Sequence, residues 1–385
     1  MGAEDQVLSN LKKAMFSIMK HTGCILEIHD LSSLKEQCHY LTQLSEIDNW
    51  NPFYKIEILK LYRKKDNRLM YFLFTLDGKP IIIMPFILND ISVLGKKTPY
   101  QDIQSPFGYS GPLFKQGIKD SLVIEFWKVV DQCYKDNNVV SEFIRFSLNN
   151  NYRHYSGALI NTLKNIKGYI LDSDEAQWKG FKPKVRKNYH KAEKNRLTFN
   201  MYNKNITKEA LDDFYKIYIS TMKRNEAEQR YFFSKSYFKN FIDNNPEYCA
   251  LAIVSHENMP ISVELILLSE NTMYSFLGGT HSEFFDKRPN DFLKVNTITW
   301  GRNHNYSYYI LGGGIMNDDG LYRYKKSFFP KDPEVDYKTG RKIINENIYK
   351  ELVEESLSIT YDNDDISEGL FPKYRQHENR FFNIR

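Results

Sequence analysis

The chain has 385 residues, 42% of them hydrophobic and 26% charged, with a net charge of +5. That length holds two domains of ordinary size or one large one, and so small a net charge excludes a general DNA binder. No apolar run reaches the length that spans a bilayer, and Cys24, Cys38, Cys133 and Cys249 have neither zinc-ligand nor redox spacing, so buried free thiols in a reducing cytoplasm are expected.

The N-terminal MGAEDQVLSNLKKAMFSIMKHTG lacks the charge and apolar core of a secretory signal. Gln6 stands where myristoylation at Gly2 would need Ser or Thr. YFLFTLDGKPIIIMPFIL (71–88) predicts two strands joined at Asp77-Gly78. SPFGYSGPLF (105–114) reads as a loop, 120–137 as a helix and FIRFSL (143–148) as a buried strand. The polar NNNYRHYSG (149–157) marks a domain boundary. We expect a first domain over 1–155, a second over 156–350, and an extension, 351–385, that packs back on the first.

In KPKVRKNYHKAEKNR (182–196), Phe181, Val185, Tyr189 and Ala192 share one helical face. From Lys179 to Arg196 there are eight Lys or Arg against one acid, Glu193, so the opposite face is basic. Such a face is a solvated surface or a seat for a phosphate backbone. Thr207 caps a helix over 207–225, and a second helix follows at 234–244. Strands at 248–255, 261–269 and 272–279, with short connections, predict an antiparallel meander. A helix over 288–305 opens with Pro289, and YSYYIL (306–311) is a strand that feeds into LGGGIMNDDGLYRYKKSFFP (311–330).

Glu264 stands out within ISVELILL, an apolar strand that helices on both faces would bury. A buried carboxylate needs a cationic partner, or its pKa rises and it can serve as a general base; both readings are open. Asp291 either pairs with Lys294 three residues on or belongs to a site. Arg224 is either a helix-end charge or a cleft residue. The Gly312–Gly314 run is no nucleotide P-loop, since Gly-Lys-Ser/Thr does not follow it. NDDG lacks the remaining ligands of a calcium loop. His190, His281 and His304 lack metal-ligand spacing, so no metal is expected.

YSGP (109–112), KVRKNYHKAEKN (184–195), TMKRN (221–225) with Tyr231, SVELILL (262–268), FLGGT (276–280), RPNDFLK (288–294) and LGGG…DDGLYRYKKSFFP (311–330) form an ordered set. The set resembles Fem-type aminoacyltransferases, which carry tandem GNAT-like acyltransferase domains. The resemblance implies an α/β (α+β) chain of two GNAT-like domains, each a mixed central sheet flanked by helices. It implies a cytoplasmic transferase that moves an aminoacyl or acyl group onto an amino group of a cell-envelope glycan or peptidoglycan precursor. The donor would be aminoacyl-tRNA or acyl-CoA, with no tightly bound cofactor. The acceptor would be a small-molecule or lipid-linked glycan precursor, which leaves room for peripheral membrane contact. No long coiled-coil arm is evident, which leaves use of charged tRNA open.

Carried over residue by residue, Leu321, Tyr324, Lys325 and Phe328 match the Fem-type lysine pattern. Lys325 would stabilise an oxyanion or hold a donor phosphate, or else merely stack on an aromatic ring. With it, Glu264 and Asp291 are the catalytic candidates. Arg186, Arg224, Tyr231, Tyr109, Thr280, Arg288, Asn290, Lys294, Gly313 and Tyr324 would contact substrate. GNAT enzymes hold coenzyme A pyrophosphate on a glycine-bearing loop at a helix start. Here Arg288-Pro289-Asn290-Asp291 replaces the glycines, places a carboxylate there and removes an amide donor, which counts against acetyl-CoA. Two alternatives stand beside this reading. One is a coenzyme A-dependent N-acyltransferase for a nucleotide-linked or lipid-linked amino sugar; the other is a non-catalytic glycan- or RNA-binding module. Asp318, Asp319 and Gly320 would shape the turn that delivers Tyr324 and Lys325.

Overall fold

A computed structural model describes residues 19–357, apart from 22, 49, 62, 64–66 and 317, together with 369–375. The readings on the N-terminal leader, Gly2 and Gln6 lie outside the described residues, as do 358–368 and 376–385 of the C-terminal extension. The chain divides into two compact units. The first takes in the described residues before 50, residues 58–162 and those from Tyr337 on; the second takes in 50–57 and 163–336.

The first unit opens with β1 (Met19–His21), β2 (Cys24–Asp30) and α1 (Leu34–Ile47). β3 (Arg68–Leu76), β4 (Lys79–Val93), β5 (Lys96–Gln104), β6 (Leu113–Phe114), α2 (Asp120–Asp136) and β7 (Val139–Arg145) follow. β1 to β5 pair antiparallel in sequence order, and β7 joins β5 in parallel. The β3–β4 turn is the expected Asp77-Gly78, both with positive φ, as a tight two-residue hairpin requires. The apolar stripe of α2 (Val123, Phe126, Trp127, Val130) packs with β2 to β4 in one core.

The second unit continues with β8 (Ala158–Tyr169), whose first residues belong to the first unit, then α3 (Asp174–Gly180), α4 (Pro183–Lys194) and β9 (Thr198–Asn203). Next come α5 (Lys208–Arg224), α6 (Lys235–Asn244), β10 (Cys249–His256), β11 (Met259–Leu268) and β12 (Thr272–Thr280). α7 (Pro289–Asn303), β13 (Tyr308–Gly312) and α8 (Gly320–Lys326) complete it. The expected meander forms, with β9 to β12 antiparallel in order; β13 then joins β12 in parallel and β8 in the antiparallel sense. Thr207 accepts from the Ala210 amide at 3.2 Å, the cap expected at the start of α5. Phe181, Val185 and Ala192 are buried as the α4 stripe requires, while Lys182, Lys184, Lys187, Lys191 and Lys194 are exposed.

Trp50–Glu57 counts with the second unit although first-unit residues flank it in sequence. Phe53 meets Tyr274 edge-on at 5.0 Å, Lys55 lies 3.8 Å from the Tyr248 ring centre, and Asn244 and Asn245 each donate to Glu57 at 2.9 Å. The chain crosses between units at 162/163 and 336/337, where the sequence had suggested 155/156 and 350/351. Both points lie within strands, the second in β14 (Val335–Ile343), which pairs with β7 in the first unit and precedes α9 (Glu346–Leu357).

Gly168 shows how closely the second core is filled. A Cβ there would overlap the ring of Phe329, itself buried among Phe181, Ile166 and Tyr322. Gly168→Ala is expected to destabilise by about 1–3 kcal/mol, the usual cost of overpacking. Thermal melts should show a lowered Tm, and an unchanged Tm would contradict this packing.

Candidate active site

β12 extends to Thr280, yet its parallel pairing with β13 covers only Thr272↔Tyr308 to Tyr274↔Ile310. Beyond that point β12 stays with β11 and β13 with β8. The β11–β12 register also shifts beside Phe276, between Leu265↔Leu277 and Ile266↔Ser275. The two strands therefore part after the Tyr274–Ile310 pair, just before Ser275, while Tyr309 is still paired with Met273.

Glu264 reaches this point from the middle of β11, 6% exposed. Its Oε1 forms an ion pair with Lys294 of α7 and accepts from the Ser275 hydroxyl. Its Oε2 accepts from the Tyr309 hydroxyl at 2.6 Å. Lys294 Nζ also donates to Ser275 Oγ at 2.9 Å and to Tyr309 OH at 3.0 Å. The ammonium's three hydrogens thus have three acceptors, and the carboxylate has three donors. The pairing of Asp291 with Lys294 suggested by their spacing gives way to this arrangement, because Lys294 turns toward the sheet. The tyrosine's pKa is raised, first by burial and then by the Glu264 charge.

Lys325 approaches from α8. Its ammonium donates to the Gly313 carbonyl at 2.7 Å. Burial, and next the positive charge of Lys294, lower its pKa to about 8, against a smaller upward pull from Glu264 and Asp319. Beside it the Tyr324 hydroxyl is buried with no hydrogen-bond partner among the described residues, and burial, Asp291 and Glu264 push its pKa well up.

The glycine run positions this lysine. Gly312 has φ of +73°, and a Cβ at Gly313 would come within 2.7 Å of the Lys164 carbonyl oxygen. A Cβ at Gly314 would overlap the Asp319 carboxylate. Asp319 caps α8: it accepts from the Tyr322 amide at 2.7 Å and from the Ile315 and Met316 amides at 2.5 and 3.1 Å. These amides hold its carboxyl below the usual range. The stretch is thus a capped turn that aims Lys325, and Asp319, expected only to shape the turn, is its anchor.

Asp291 lies buried in the first turn of α7, with Arg288 before it in a left-handed conformation. Burial raises its carboxyl pKa, while the Asn188 hydrogen bond and the charges of Arg288 and Lys184 oppose the rise. Asn290 Oδ1 accepts from Ser262 Oγ at 3.0 Å and from Thr280 Oγ1, and these two hydroxyls lie 2.7 Å apart. Arg224 donates to the Thr280 carbonyl at 2.6 Å and lies over the Phe285 ring. Thr280, Asn290 and Arg224 thus form a second polar group, joined by Thr221, which donates to the same carbonyl.

Other candidates stand elsewhere. Arg186 donates to the Phe181 and Trp178 carbonyls, so its guanidinium ties α4 to the turn before it. The Tyr231 carbonyl accepts from Tyr218 OH at 2.5 Å, and the Arg230 guanidinium lies 5.1 Å from the Tyr231 ring centre. Tyr109 belongs to the first unit, edge-on to Tyr337 at 5.7 Å. Sequence reasoning missed Ser275, Tyr309 and Asn188. The signal for Ser275 was a small hydroxyl residue between Tyr274 and Phe276; Tyr309 had none, being one of three tyrosines in YSYYIL.

Residues 180–326 match the family model of the acetyltransferase (GNAT) domain. This segment is similar to that domain. Among solved structures, FemX is similar over 84% of this chain and 98% of its own, with 13% identity and a TM-score of 0.61. The C-terminal domain of a putative lysylphosphatidylglycerol synthetase from Agrobacterium fabrum covers 84% and 95%, with 11% identity and a TM-score of 0.54. L-PGS from Bacillus licheniformis covers 85% and 95%, with 14% identity and a TM-score of 0.53. At such identities the likeness shows the fold alone, one that this chain shares with FemX. No curated protein sequence matches the chain significantly. Among the described residues no helix is long and apolar enough to cross a membrane.

Removing one member of a buried pair leaves the other charge without compensation, at about 3–5 kcal/mol. Lys294→Met should therefore lower stability by that order in denaturant melts. The double variant Glu264→Gln/Lys294→Met should recover most of the loss. Equal stability of Lys294→Met and the native chain would show that the pair is solvated.

Proposed function

We propose that the protein moves an aminoacyl or acyl group onto an amino group of a cell-envelope glycan or peptidoglycan precursor. One observation carries this reading: the Lys325 ammonium, its pKa lowered to about 8, stands with the Glu264–Lys294 pair where β12 and β13 part. A cation held in a partly desolvated place stabilises negative charge more strongly than one in water. Lys325 would bind the oxyanion that forms when the amine attacks the acyl carbonyl.

The attacking amine must lose a proton. Three donors already hold Glu264, so we assign the acceptor role to Asp291, whose carboxyl pKa burial raises. Glu264 then fixes Lys294, and Lys294 tunes Lys325. Tyr324 OH, buried and unpartnered among the described residues, would donate to the acyl group or to its leaving oxygen.

For the donor, Pro289 and Asp291 stand where a pyrophosphate would need bare amides, which favours aminoacyl-tRNA. The exposed lysines of α4 would take the tRNA phosphates. The name of one structural neighbour, a putative lysylphosphatidylglycerol synthetase, itself describes an aminoacylated lipid, and it supports a lipid-linked acceptor. The GNAT family match favours the second reading, an acyl-CoA donor with an amino-sugar acceptor. Incubating the purified chain with acceptor and either charged tRNA or acetyl-CoA, and following which is consumed, separates the two.

Lys325→Ala is expected to lower kcat/KM by about 10²–10³-fold with an unchanged circular dichroism spectrum; native turnover would remove Lys325 from the mechanism. Lysine carries its charge below its pKa. Activity that depends on the ammonium should therefore hold below about pH 8 and decline as pH rises through that value. A pH–rate profile whose limb near 8 persists in Lys325→Ala would assign that limb to another group.

A further inference from the structure

In the first unit, two imidazoles and two carboxylates converge between β2 and α1. Alternation along β2 puts Glu27 and His29 on one face, and spacing on α1 puts Glu36 and His39 one turn apart. The Ser33 hydroxyl accepts from the Glu36 amide at 3.2 Å, so the cap that starts α1 also fixes its acid beside the strand. The rings of His29 and His39 lie 4.9 Å apart. One ligand atom from each of His29, Glu36 and His39 lies within 4.8 Å of the others.

Each imidazole has one nitrogen engaged on the outside of this group. His29 Nε2 meets Glu27 Oε2 at 2.9 Å, and His39 Nδ1 meets Tyr71 OH at 2.7 Å. Tyr71 is buried and stacks on His29 at 5.0 Å, so its hydroxyl is held in place. Outer partners of this kind fix ring orientation and leave the second nitrogen as the electron-pair donor. The inward nitrogen of His29, Nδ1, is 3.6 Å from Glu36 Oε2. That is too long for a hydrogen bond. It is near the separation of two ligands that share one ion at about 2.0–2.1 Å from each.

We propose that His29, Glu36 and His39 form a binding site for a divalent transition metal, with Zn²⁺ the best match. Two histidines and one glutamate are a zinc donor set that leaves a fourth position open. The ion would clamp α1 to β2, bridging two elements that the sequence joins through only three residues, Leu31 to Ser33. Its ligands must be unprotonated, so binding releases protons and weakens in acid. None of the histidines that the sequence drew attention to takes part.

Titration of the full-length protein with Zn²⁺ alone at pH 7.5, followed calorimetrically, tests this. One ion per chain is expected, with proton release and at least a tenfold loss of affinity at pH 5.5. His29→Ala/His39→Ala should abolish saturable binding, and Glu36→Gln, which keeps the side chain's shape, should weaken it strongly. Glu27→Gln, which disturbs only the outer partner, should cost about 10–100-fold. Cys38→Ser, beside His39 on α1 and exposed, should bind as the native chain does. No saturable binding, binding undiminished in the double variant, or loss in Cys38→Ser would overturn the proposal. In the first case the four side chains would be surface ion pairs only.

Discussion

A carboxylate in the middle of an otherwise apolar central strand loses most of its hydration, at a cost of several kcal/mol unless a partner compensates. Glu264 is placed there by the alternation of β11, and α7 delivers Lys294 to it. Ser275 and Tyr309 supply the remaining donors from β12 and β13. The pair is therefore built by three strands and a helix at once. It lies beside the end of the β12–β13 pairing, held by Ser275 just past that end and by Tyr309 within it.

That charge conditions what stands above it. Lys325 enters a partly desolvated place where Lys294 already supplies a cation, and its pKa falls accordingly. Holding a lysine there needs a rigid approach. The glycine run admits backbone where side chains would collide, and Asp319 gathers three amides to start α8. The same loop supplies the Gly313 carbonyl that receives the ammonium. Structure and electrostatics are thus coupled through one short segment of chain.

Much of this was legible in the sequence because local chemistry and tertiary structure agree. Thr207 announces α5, Asp77-Gly78 announces the β3–β4 turn, and the apolar stripe of α4 is buried as its spacing demands. Glu264 was visible as a charge out of place. Its partners were not. Tyr309 and Ser275 are ordinary strand residues until the register puts them beside Glu264. The spacing of Lys294 pointed to Asp291, yet the buried carboxylate on the sheet won its ammonium. Arg186 read as an anion contact, and the sequence did not show that one of its guanidinium nitrogens donates to the carbonyls of the preceding turn. The passage of Trp50–Glu57 into the second unit left no mark in composition, nor did the crossings at 162/163 and 336/337. The cluster of His29, Glu36 and His39 was hidden because it joins a strand period to a helix period.

The central claim is that the buried Glu264–Lys294 pair sets the state of Lys325. Nuclear magnetic resonance of lysine-labelled protein, with the Lys325 signal assigned by Lys325→Arg, measures this directly. The account predicts that Lys325 titrates near pH 8 in the native chain, and at a higher pH in Lys294→Met, where the repelling charge is gone. A Lys325 that titrates near 10.4, as an unperturbed lysine does, in both proteins would contradict it.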